Sequence, residues 1–108
     1  MKVQTILYIA TALPLLLLAN PLHAHEGHGV EEARAARSLA ANCAACHGAS
    51  GKAQGNMPVL AGKSKEYLVT QLLAYKSGKR EGTIMPQIAK GYSDLQISRL
   101  AEYFADQK

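Results

Sequence analysis

Apolar and polar residues alternate in distinct regimes along this chain. Ile6 to Ala19 is a nearly unbroken apolar run with Pro14 inside it. After it, apolar side chains recur at helical rather than strand spacing. Ala36, Leu39, Ala40 and Cys43 share one face, which predicts a helix over 31–43. Glu31 and Glu32 open that helix, where negative charge offsets the helix dipole. Leu68, Leu72 and Tyr75 share a second face, with Val69 and Leu73 beside it. They predict a helix capped by Ser64 and ending near Ser77, with Gly78 as terminator. Ile97, Leu100, Ala101 and Phe104 mark a third, opened by Ser93-Asp94-Leu95-Gln96, a capping box of the S-x-x-Q type. The segments 48–62 and 79–91 are punctuated by glycine and proline and read as loops. No run alternates with period two, so the expectation is an all-α fold of about three main helices, the last crossing the first.

The length of 108 residues allows one domain at most. The formal charge of +4 is mild, and no basic run interleaves with aromatics, which argues against nucleic acid. Lys2, the apolar run, the break at Asn20-Pro21 and the sequence Leu22-His23-Ala24 have the layout of a secretory signal peptide. Cleavage is expected after Ala24, assigning residues 1–24 to the signal. A membrane anchor needs about 20 apolar residues. This run is shorter and carries a proline, so no stable span is expected after cleavage, and the destination is the periplasm. Residues 25–30 read as a flexible polar leader, and residues 31–108 as the domain.

The chemistry is concentrated at Cys43-Ala44-Ala45-Cys46-His47, a C-x-x-C-H stretch. This is the attachment pattern for one c-type haem. Two thiols on one helical turn can each add to a vinyl group of one porphyrin, and the adjoining histidine can offer a ring nitrogen to the iron. A redox dithiol of the thioredoxin type needs a sheet, and none is predicted. A zinc site needs four ligands, and no second C-x-x-C follows. A covalent haem would also give so short a chain a large apolar body to pack around. A second iron ligand must come from another segment. Met85, stiffened by Pro86, is the preferred residue; Met57 competes and is ranked as packing. His25 and His28 are further alternatives, as loose metal or haem ligands.

With these pieces placed, the chain resembles the class I c-type cytochromes of bacteria over roughly residues 31–107. The likeness is carried by C-A-A-C-H-G at 43–48, P-V-L-A-G at 58–62 and L-A-E-Y-F-A at 100–105. Within the class, Tyr75-Lys76-Ser77-Gly78-Lys79-Arg80 and Ile88-Ala89-Lys90-Gly91-Tyr92-Ser93-Asp94 look most like the cytochrome subunits of flavocytochrome c sulfide dehydrogenases. The resemblance implies a monohaem protein with Cys43 and Cys46 as thioether links, His47 as proximal ligand and Met85 as distal ligand. It also implies that the Pro58 carbonyl accepts a hydrogen bond from His47.

The function implied is one-electron transfer, with a sulfide-oxidising flavoprotein subunit or another redox protein as partner. Catalysis is not expected from this chain alone. The alternative is a freely diffusing carrier with a lysine rim, such as Lys52, Lys63, Lys79 and Lys90, and salt-sensitive encounters. A haem enzyme or gas sensor would instead keep the distal position open.

Overall fold

The computed structural model describes residues 23–108, with side chains from Gly29 onward. Residues 1–22 of the expected signal segment 1–24 and the side chains of His25 and His28 lie outside the described residues. The element order is α1 (His23–His47), α2 (Lys65–Lys76), α3 (Met85–Lys90) and α4 (Asp94–Ala105), with no strand among the described residues. The architecture is therefore all-α, as the spacing predicted.

Two boundaries differ from the sequence reading. α1 begins at His23, so residues 25–30, expected as a leader, form its first turns. Gly27 and Gly29 lower helix propensity there, but extending an existing helix costs far less than nucleating one. The second difference lies in the expected loop 79–91, which contains α3. Six residues are too few to show a periodic face. Pro86 stands in its first turn, where the fixed proline φ suits a helix and the missing N–H costs nothing.

The other ends follow the expected chemistry. Ser64 Oγ accepts from Tyr67 N at 3.2 Å to cap α2, and Gly78 beyond its end adopts φ +77°. At α4, Ser93 Oγ accepts from Gln96 N at 3.2 Å, and Gln96 Oε1 accepts from Ser93 N at 2.8 Å.

α4 is the central element, packing on both α1 and α2, while α3 packs on α2. Ala40 of α1, Leu68 of α2 and Leu100, Ala101 and Phe104 of α4 form the buried cluster. The small side chain of Ala40 lets α1 approach α4 closely. Lys65 pairs with Glu102 at 2.7 Å and Arg99 Nη2 donates to Glu32 at 2.9 Å, tying α4 to each neighbour at the surface. Lys76 donates to Asp94 at 2.7 Å and to the Tyr92 carbonyl at 2.8 Å. Among the described residues, no helix is long and apolar enough to cross a membrane.

Candidate functional site

The C-x-x-C-H stretch forms the last turn of α1, which ends at His47. Gly48 terminates the helix at φ +83°, a left-handed conformation that suits glycine. Three-residue spacing on a helix puts Cys43 and Cys46 on neighbouring positions of one face, and His47 lies one turn beyond Cys43. Both thiols are unpaired, Cys43 half-buried and Cys46 exposed. Burial pushes the Cys43 thiol above its ordinary pKa.

His47 is 7% exposed, the one polar residue in the buried set among the described residues. Its Nδ1 donates to the Pro58 carbonyl at 2.7 Å. A carbonyl only accepts, so the proton sits on Nδ1 and the lone pair on Nε2. The loop 48–62 brings Pro58 to this place. Gly51, at φ +73°, anchors it: its N–H donates to the Gly48 carbonyl at 2.8 Å, and its own carbonyl accepts from Leu60 N at 2.8 Å. Gly62 N then donates to the Phe104 carbonyl at 3.1 Å and ties the loop to α4.

A cleft of about 360 Å³ opens beside this turn. Cys43, Cys46 and His47 line it from α1, and Met57 and Pro58 from the loop. Met85 lines it from α3, so the structure brings both methionines to one cleft. Its remaining walls are largely apolar, including Leu60, Leu72, Ile88 and Phe104. Met57, Val59, Tyr67 and Ile84, which also line it, are at least 39% exposed. This donor set fits a haem: two free thiols on one helical face, an imidazole presenting an Nε2 lone pair, a thioether from a separate element, and apolar walls that a flat macrocycle would cover.

Leu72 and Tyr75, which the spacing placed on one face of α2 with no site role, both line the cleft. It assigned no site role to Tyr67, Gln71, Arg80, Thr83 or Ile84, which line it as well. Helical periodicity showed that Leu68, Leu72 and Tyr75 share a face, but not that the cleft runs along it.

A family profile for cytochrome c matches residues 32–108. The chain belongs to the cytochrome c family. It is an electron-transfer protein that carries covalently bound haem c. This cytochrome is 43% identical over 68 residues to the cytochrome subunit of sulfide dehydrogenase from Chlorobaculum tepidum, covering 63% of this chain and 62% of that one. It is 40% identical to a cytochrome c4 of Pseudomonas aeruginosa, over 75% of this chain and 41% of that one. It therefore spans less than two thirds of the length of both relatives. A cytochrome c-554(548) of Halomonas halodenitrificans is 36% identical and is covered over 98% of its length by 71% of this chain. A solved cytochrome c4 from Acidithiobacillus ferrooxidans superposes with a TM-score of 0.64 at 30% identity, covering 68% of this chain and 49% of the other.

Proposed function

We propose that this cytochrome is the periplasmic subunit that accepts electrons from a sulfide-oxidising flavoprotein, with His47 and Met85 as the residues that would hold the haem iron. The observation that carries the electron-transfer reading is that one cleft is lined by a histidine held by a backbone carbonyl and by a methionine from another element. With His47 and Met85 both engaged, the iron would offer no open site to a substrate. When bound, the haem supplies the one-electron couple. The chain does the rest. Pro58 fixes the His47 ring and raises its basicity as a ligand. Cys43 and Cys46 would hold the haem covalently through thioether links. The apolar walls keep water away, and the exposed lip leaves a route for electrons to a partner.

Met57 adjoins Pro58, whose carbonyl binds His47, and it would pack beside that histidine. Met85, half-buried at the start of α3, would supply the second iron ligand from a separate element. Replacing Met85 by Ala should open the distal position, giving a large gain in carbon monoxide binding and a lower potential. Unchanged ligand binding would point to an open distal site and to a sensor or enzyme.

The partner reading rests on the sulfide dehydrogenase relative. A second reading, a free carrier, is favoured by the near-complete coverage of the Halomonas cytochrome and by exposed Lys52, Lys63, Lys79 and Lys90. Gentle purification of the native protein decides between them. Flavin absorbance from a co-purifying chain supports the subunit; haem bands alone favour the carrier. The same reading places residues 1–24 as a cleaved signal and 31–108 as the cytochrome domain. Cleavage after Ala24 removes only the first two residues of α1.

A further inference from the structure

The chain has 4 histidines, and all but His47 crowd into the start of α1 as His23, His25 and His28. In a leader without regular structure that crowding would carry little meaning, but the structure makes the segment helical. Three-residue spacing then sets His25 and His28 at neighbouring positions of one helical face. Glu and His at the same spacing supply metal ligands in helix bundles. Glu32, one turn beyond His28, accepts from Arg99 Nη2 of α4 at 2.9 Å, which ties this end of α1 to the domain. The helix also excludes a role for the pair at the haem. At 1.5 Å per residue, His28 stands roughly 28 Å along α1 from His47, so neither it nor His25 reaches an iron held there.

What remains is a separate ion. Imidazole suits zinc, copper and nickel, and a given nitrogen site holds copper(II) most tightly of these. Charge favours a cation as well. The chain is +4 overall, yet the charged residues between His23 and Ala33 are Glu26, Glu31 and Glu32, and the first basic residue of α1 is Arg34. Those acids offset the positive end of the helix dipole, which would otherwise oppose a metal ion. We infer that His25 and His28, paired on one face at the start of α1, form a copper(II) site separate from the haem. Cleavage after Ala24 makes His25 the first residue, and its free α-amine then supplies a third nitrogen. The amine rests on the cleavage proposed above; the paired imidazoles do not.

The mature holoprotein suits the test, because with His23 removed and His47 in the haem site no other imidazole competes. Copper(II) is titrated into the ferric form, so that no electron passes from haem to copper. Calorimetry reads the affinity, and electron paramagnetic resonance reads the ligands. The expected result is one copper per chain with hyperfine splitting from nitrogen. His28→Ala should weaken binding by more than about tenfold, since loss of even a supporting partner of a metal ligand costs that much. The double variant His25→Ala, His28→Ala should abolish the site. Both variants should keep the visible haem spectrum and the melting temperature of wild type, because the substitutions lie far from the cleft. Copper binding that survives the double variant, or that never saturates in wild type, would overturn the inference. The intact mass gives the first residue of the same sample. A cut elsewhere sinks the cleavage reading and the amine with it, and the two substitutions still decide the imidazole site.

Discussion

Gly51 does more for the site than its size suggests. It adopts φ +73°, and a Cβ added there would come within 2.7 Å of Phe104 Cδ1 and 3.0 Å of Ala61 N. The first neighbour is a core ring and the second is backbone, so neither yields cheaply. The residue thus lets the loop close onto α4 and deliver the Pro58 carbonyl to His47. Gly51→Ala should cost about 2–4 kcal/mol, combining left-handed strain with overpacking. Urea unfolding of the holoprotein measures it, and a loss below about 1 kcal/mol would mean that the loop is not anchored there. At this scale the C-x-x-C-H residues were legible because their spacing is local. The place of Arg80 at the cleft was not, since it depends on a turn that brings the side chain over Tyr75.

Among the elements, α4 carries the most explicit instructions. Its capping box, its apolar face and its exposed polar face all agree, and Ile97, Leu100, Ala101 and Phe104 are buried as their spacing foretold. Replacing Ser93 by Ala removes the bond to Gln96 N and should cost about 1 kcal/mol. In a domain of this size that lowers the melting temperature by about 4–8 °C, readable by circular dichroism. An unchanged melt would show that the cap is not holding the first turn. α3 is the opposite case. It has no side-chain cap at Ile84 and only six residues, so its helix is held by Pro86 and by packing on α2. Its existence was not legible, although the methionine that opens it was.

For the whole molecule, Leu68, Leu100, Ala101 and Phe104 serve both as buried core and as lining of the cleft. Core and haem site are one body. A chain this short gains little stability from its own packing, so the cofactor completes the hydrophobic interior. The double variant Cys43→Ser, Cys46→Ser should therefore lack covalent haem after denaturation and lose its cooperative thermal transition. Denaturing gels stained for haem, together with thermal melts, check the two halves. Retention of a cooperative transition without haem would show that the helices suffice alone. The surface pair between Lys65 and Glu102 does not change this balance, because an exposed ion pair contributes about 0–1 kcal/mol.

The sequence by itself determined what depends on neighbours along the chain. Helical spacing set the three main helices, Ser64 and Ser93 set two of their starts, and Cys43 to His47 set the cofactor, because thioether geometry requires only one helical turn. Tertiary structure decided what depends on segments far apart in sequence. It placed the Pro58 carbonyl 2.7 Å from His47 Nδ1. It brought Met57 and Met85 to one cleft, and it set Arg80 beside Tyr75 and Gln71. Those contacts arise where loops close and helices cross, and no local pattern of apolar and polar residues specifies either.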